Sequence, residues 1–209
     1  AYLRITISRG VGEIGLDPGL CPKPTTVIMT KTLAPYPTSL RQQGVSLTVA
    51  KTKRNLPEAL SPHIKATNFL NNILAKRESI AAGTFDSLLL NWRDELTECT
   101  ISNLFFVSKG MLKTPALTCG ILDGITRGFV LALAREAGLA SEEGAYGVEA
   151  LALADECFVT NTSMEIMPVT RLDGAPIGNG RPGPITNRLH SLFISNRARF
   201  LEPPSRPQD

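Results

Sequence analysis

The chain has 209 residues, 43% of them hydrophobic and 20% charged, with a formal net charge of +3. That composition fits one globular domain, or one large domain with a fragment of another. The small charge gives no reason to expect nucleic acid or a membrane as a partner, and no apolar run approaches the roughly 20 residues that span a bilayer.

Along the chain, Leu3 to Ser8 alternates in polarity and reads as a half-buried strand. Gly10, Gly12, Gly15 and Gly19 mark a loop, and the β-branched run Thr25 to Leu33 is a second strand, broken by Pro35 and Pro37. Val45 to Ala50 is a third. Phe69, Leu70, Ile73, Leu74 and Ile80 then set a helical period. They predict an amphipathic helix over Asn68 to Ala82 with that stripe inward and Gly83 at its end. Leu88 to Leu90 is a buried strand. Asn103 to Val107 and Met111 to Thr114, joined at Ser108-Lys109-Gly110, form a meander. A second helix is expected from Ile125 to Ala137, with Ile125 among its inward residues and Gly138 as its cap. Cys157 to Thr160 is a strand, and Arg171 to Ile177 is a hairpin turning at Asp173-Gly174. A third helix spans about Ile185 to Phe200 with Leu189, Leu192 and Phe193 inward, and residues 202–209 form a disordered tail. The class is α+β, with strands dominating and helices at the sides.

No signal peptide is visible, since the start AYLRITISRG is charged early. The four cysteines, Cys21, Cys99, Cys119 and Cys157, show no metal-binding spacing. They read as reduced thiols of a cytoplasmic protein with no structural metal. The chain opens at Ala1 directly in a strand pattern, so a preceding part is expected to be missing.

Three local features can carry chemistry. Lys65, between a strand-rich region and a helix start, can point into a cleft, where burial favours the neutral amine that reacts with an aldehyde. A solvated surface lysine is the commoner use of that position. Gly124, Ile125 and Thr126 open a helix, whose free N–H groups and threonine hydroxyl make a phosphate site. The bland alternative is an ordinary helix entry capped by Asp123. Glu98 lies among apolar and small residues, and a buried carboxylate needs a partner such as a protonated pyridine nitrogen. The bland alternative is an edge-strand glutamate in water.

The runs KATNFLNNILAKRE, LTECTISNLFF, LDGITR and DECFVTNTSMEIMPV resemble, in order and spacing, the class IV (fold-type IV) pyridoxal-phosphate enzymes. That family includes branched-chain aminotransferases, D-amino-acid transaminases and 4-amino-4-deoxychorismate lyases. The resemblance covers about Tyr2 to Phe193. It implies the large C-terminal domain of that fold over residues 1–201, a strand-rich pseudo-barrel flanked by helices, with the smaller N-terminal domain absent. It further implies pyridoxal 5'-phosphate as cofactor, a small-molecule amine as substrate, and a homodimer. Lys65 would be the Schiff-base lysine and Glu98 would face the pyridine nitrogen. Leu122 would pack on the ring, and Gly124, Ile125, Thr126, Asn161 and Thr162 would surround the phosphate. Phe69 stands where many relatives carry a tyrosine near the cofactor, and Asn68 is a conceivable substitute for that hydroxyl.

GVGEIGL, FLNNILAKRE and TNTSMEIMPV look most like the lyases. The implied reaction converts 4-amino-4-deoxychorismate to 4-aminobenzoate and pyruvate, a step toward folate. The alternatives are a branched-chain or D-amino-acid transaminase and a catalytically silent fragment. The loop Gly12-Glu13-Ile14-Gly15 lacks the Arg-x-His pair of the D-amino-acid enzymes, which demotes that reaction. Arg4 and Arg9 are candidates for a substrate carboxylate, although alternation puts Arg4 opposite Leu3 and Ile5.

Overall fold

The computed structural model describes residues 1–201; the tail expected to be disordered lies outside the described residues. The chain divides into two compact units, Ala1–Pro35 and the remainder from Tyr36.

The first unit is a hairpin. β1 (Tyr2–Ser8) pairs antiparallel with β2 (Thr25–Lys31), from Tyr2 opposite Lys31 to Ser8 opposite Thr25. The strands fall where alternation and β-branching put them, one or two residues from the expected ends. Leu3, Ile5, Ile7, Val27, Ile28 and Met29 are exposed, so Leu3 to Ser8 is not half-buried within its own unit. A two-stranded hairpin has no second layer to cover either face.

The second unit begins with α1 (Thr38–Gln43), β3 (Val45–Val49), α2 (Leu70–Ala82), β4 (Asp86–Leu90), β5 (Leu96–Cys99), β6 (Asn103–Ser108) and β7 (Met111–Pro115). It continues through α3 (Ile125–Glu136), β8 (Ser141–Gly144), α4 (Glu149–Ala152), β9 (Glu156–Asn161), β10 (Glu165–Leu172), β11 (Ala175–Pro176) and α5 (Pro184–Asn196). A 3-10 turn, Arg197–Leu201, replaces the last residues expected of the third helix.

The sheet closes on itself. β10, β3, β4, β5 and β6 are neighbours in that order, and β9 pairs with both β6 and β10. β3 joins β10 and β4 in parallel, while β4–β5, β5–β6, β6–β9 and β9–β10 are antiparallel. This ring is the expected pseudo-barrel, and β7, β8 and β11 extend it. Closure leaves the ring strands without free edges. The ring is filled by Leu47, Leu88, Leu96, Leu104, Phe106, Val159 and Met167, while Phe105, Phe158, Val130, Leu133, Leu189 and Phe193 pack α3 and α5 on the outside. That alternation is visible at Leu104–Val107, whose successive side chains enter opposite clusters.

α2 departs from its expected orientation. Phe69, Leu70, Ile73, Leu74 and Ile80 are exposed, and the buried residues of this helix are Ala75 and Ser79. These two small side chains, four residues apart, let the helix lie close on the sheet. Ala75 packs with Ala50 and Leu89, and the Ser87 hydroxyl donates to the Ala75 carbonyl at 2.7 Å. The wider apolar stripe therefore faces outward. The helix also starts at Leu70, not Asn68, and ends at Gly83 in the left-handed region, as expected. In α3, Val130, Leu133 and Ala134 are buried as expected, but Ile125 in the first turn is exposed. Among the described residues, no helix is long and apolar enough to cross a membrane, and the four cysteines are free thiols.

Candidate active site

One end of the ring holds a cavity of about 300 Å³. Four segments form its walls: the loop 54–69 with the first turn of α2, the end of β5 with the turn into β6, the start of α3, and the end of β9 with the turn that follows. Lys65, Phe69, Glu98, Leu122, Gly124, Ile125, Thr126, Asn161 and Thr162 all line it, as does Asn68. Residues far apart in the chain are thus brought together. Arg4 and Arg9 belong to the other unit, where Arg4 is exposed on β1 and Arg9 donates to the Pro18 carbonyl.

Glu98 is buried, 5% exposed, at the end of β5. The Arg54 guanidinium donates to its Oε1 at 2.6 Å. Its Oε2 accepts the Leu122 N–H at 3.1 Å and the Asn103 amide at 3.1 Å. Asn103, opposite Glu98 in the β5–β6 ladder, also donates to the Leu122 carbonyl at 2.9 Å, so the two sides of the cavity are tied together. Burial pushes the Glu98 carboxyl up to about 7, outweighing Arg54, the Leu122 N–H and the field of Lys65, which favour the anion.

From about pH 4.5 to about pH 7 the folded state keeps the proton on this carboxyl and the unfolded chain loses it. The stability this group contributes is complete below that window and is lost as pH rises through it. Asp86, also raised by burial, acts in the same direction. Urea unfolding of the cofactor-free protein at about pH 5 and about pH 8 should therefore show a decline that is shallower in Glu98→Gln. Equal declines in the two proteins would mean that Glu98 does not titrate in this window.

Lys65 sits in the loop between β3 and α2, near the buried Pro62. Its side chain is exposed at the cavity wall, not sequestered as expected from its position in the sequence. Among the described residues no acid lies within ion-pairing distance to draw it inward, and a long aliphatic stem readily carries its ammonium group toward water. It still shares one cavity with Glu98 and with the turn at Gly124.

The start of α3 is open to an anion. Among the described residues no side chain caps it, and the first intrahelical bond from this end is Gly128 N–H to the Gly124 carbonyl, leaving the preceding N–H groups without a partner there. Asp123, the alternative cap, pairs instead with Arg127 at 3.7 Å. Thr126 is buried. Thr160 contributes a buried hydroxyl that has no hydrogen-bond partner among the described residues. Asn161 is committed to its own turn: its carbonyl oxygen accepts from the N–H groups of Ser163 and Met164 at 3.0 and 2.8 Å, and its amide donates to the Ile101 carbonyl at 3.2 Å. Thr162 is left exposed at the rim.

Arg54, Asn72, Asn103 and Thr160 are the cavity residues that reading the sequence missed. Arg54 stands in the basic run Lys51-Thr52-Lys53-Arg54, which looks like a solvated loop. Only the alternation of β6, which turns Asn103 toward Glu98, offered a signal.

The family model for class IV amino-transferases matches residues 1–172. The chain belongs to the class IV aminotransferase family. Its members are pyridoxal-phosphate enzymes. A Methanocaldococcus jannaschii protein provisionally named a branched-chain-amino-acid aminotransferase is 38% identical over 200 residues, 96% of this chain and 68% of that protein. The aminodeoxychorismate lyase of Bacillus subtilis is 34% identical over 193 residues, 92% of this chain and 64% of that enzyme. The crystal structure of the Escherichia coli branched-chain amino acid aminotransferase superposes with a TM-score of 0.88 at 32% identity, covering 93% of this chain and 64% of that one. The chain thus spans about two thirds of the length of these class IV relatives.

Proposed function

We propose that this class IV chain binds pyridoxal 5'-phosphate in the cavity at the end of the ring and uses it to abstract a proton from the carbon bearing a substrate amine. The observation that carries the reading is the convergence of an amine, a buried carboxylate and an uncapped helix start on one cavity. The donor set fits the group. The free N–H groups of Ile125 and Thr126 would bind the phosphate, helped by the Thr126 hydroxyl and the exposed Thr162. The orphaned Thr160 hydroxyl supplies a further donor. Leu122, pinned by Glu98, would pack against the ring.

When bound, pyridoxal phosphate supplies an aldehyde that captures amines and a ring that accepts electron density. Lys65 would anchor it covalently and, once released, take the proton from the amine-bearing carbon. Glu98 would hold a proton at the pyridine nitrogen. Phe69, with no hydroxyl, would offer only an apolar wall at the cavity edge. Asn161, through its turn, would hold Thr162 in place.

Two reactions share these steps. In the lyase reading the substrate is 4-amino-4-deoxychorismate and the products are 4-aminobenzoate and pyruvate; likeness to the Bacillus subtilis enzyme supports it. In the transaminase reading the substrate is a branched-chain amino acid; likeness to the Methanocaldococcus jannaschii and Escherichia coli proteins supports it equally well. One paired assay separates them. Release of pyruvate and fluorescent aminobenzoate from aminodeoxychorismate is expected of the lyase, whereas turnover of leucine with 2-oxoglutarate and no aminobenzoate would rule the lyase out. A protein that stays colourless under saturating cofactor would overturn both.

A homodimer is part of the proposal. The outward apolar stripe of α2 favours burial against another surface. Light scattering is expected to give twice the chain mass, and a monomer at high concentration would contradict it.

A further inference from the structure

None of the roles above uses Arg54, although its side chain is largely buried in the cavity wall. Its backbone N–H donates to the Leu90 carbonyl at 2.8 Å, which fixes the loop against the end of β4. Its guanidinium donates to Glu98 Oε1 at 2.6 Å and to the side-chain Oδ1 of Asn72 at 3.2 Å, and the Asn72 amide is itself held by donating to the Thr100 carbonyl at 2.6 Å. The side chains of Arg54 and Glu98 are only 8% and 7% exposed. The guanidinium is thus clamped from α2 and from the end of β5, and its plane cannot swing away without breaking both contacts.

An ionised carboxylate offers about four acceptor positions. Three are taken: one on Oε1 by Arg54, and two on Oε2 by Asn103 and the Leu122 N–H. One remains, on the oxygen that Arg54 holds. We propose that Arg54 is a positioning residue that orients this last acceptor of Glu98 toward the cavity and favours its anionic form against burial, so that a proton shared with a ligand nitrogen stays on the nitrogen. The proposal rests on the pyridoxal-phosphate reading for the identity of that nitrogen. Arg54 touches Glu98 directly while the ligand nitrogen lies beyond it. The stabilisation of the anion at short range therefore outweighs repulsion of the more distant protonated ring. Without Arg54, burial opposes ionisation of Glu98 more strongly, and the proton passes from the ring nitrogen to the carboxylate.

The test uses the full protein loaded with cofactor labelled with ¹⁵N in the ring, and reads the ring-nitrogen chemical shift, which distinguishes pyridinium from pyridine. Wild type is expected to show pyridinium at neutral pH. Arg54→Gln is expected to move toward pyridine and to bind cofactor about tenfold more weakly, within the range seen for coupled buried groups. Arg54→Lys, which keeps the charge but not the planar fork, should fall between. In a Glu98→Gln background the same Arg54→Gln change should alter affinity by less than about twofold, because the coupling partner is gone. If Arg54→Gln or Arg54→Lys lowers thermal stability while the ring nitrogen remains protonated as in wild type, Arg54 is structural only and the proposal is overturned. If wild type itself binds no cofactor, the pyridoxal-phosphate reading fails first.

Discussion

Lys65→Ala is expected to leave the fold intact and to abolish the covalent link to the cofactor. Lys65 is exposed and makes no ion pair among the described residues, so its truncation costs the fold little. The loop around it is anchored elsewhere, by the buried Pro62 and by Arg54. On the proposed reading, the variant can still bind cofactor through the start of α3, but borohydride will fix no label to the protein. In wild type, borohydride followed by peptide mapping should place the label at residue 65. Turnover should fall by at least about 10²- to 10⁴-fold, the contribution of a positioned proton-transfer group. A small primary amine added to the medium should restore part of the lost rate. Label at a different lysine in wild type, or full turnover by Lys65→Ala, would end the proposed role.

The exposure of Lys65 also shows what a sequence can and cannot convey. A lysine at a helix start next to apolar residues gives its place in the cavity wall, because the loop leads there. It does not give the degree of burial, which depends on whether an acid draws the ammonium inward. The same separation runs through the fold. The β-branched strand Thr25–Lys31 and the apolar run Asn103–Ser108 were legible, as were turns at Lys109-Gly110 and Asp173-Gly174, where the backbone enters the left-handed region. α1 is only six residues long and follows Pro37, too short to display a period. β8 reads Ser-Glu-Glu-Gly, and it is a strand only because β7 offers it a parallel partner. Closure of the ring depends on β9 meeting β6 and β10 at once, and was expected from family resemblance, not from local pattern.

α2 shows the sharper lesson. Its apolar stripe was legible, but its direction was not. Ala75 and Ser79 form the closer-packing face, so contact with the sheet is decided by how near the backbone can come and not by which face is more apolar. That placement turns Asn72 toward Arg54 and so shapes the site. Glu98 and the Gly124 turn could be singled out because each is locally odd: an acid among apolar residues, and a glycine opening a helix. Arg54 is not locally odd. Its importance appears only once β5 brings Glu98 within 2.6 Å.

Gly124→Ala should show how tightly the two halves of the cavity are joined. The φ of Gly124 is −74°, a value open to any residue, so backbone freedom is not what requires glycine here. The reason is the neighbour: a Cβ at this position would overlap the side-chain Oδ1 of Asn103, well inside van der Waals contact. Asn103 cannot yield cheaply, because its amide is shared between Glu98 Oε2 and the Leu122 carbonyl. Moving it strips one of the three hydrogen bonds from a buried carboxylate and loosens the Leu122 wall together. Overpacking of this kind costs about 1–3 kcal/mol. A further loss is expected in cofactor affinity, of about tenfold or more, since a hydrogen bond to a charged group is worth about 1.5–3 kcal/mol. Denaturant unfolding and cofactor titration would measure the two effects separately. Gly124→Ala combined with Asn103→Ala removes the clash, so the pair should recover part of the stability lost by Gly124→Ala alone. The cofactor defect should persist, because Glu98 is still without its amide donor. Stability and binding that recover together would mean that the clash acted through the start of α3, and that Asn103 does not support Glu98.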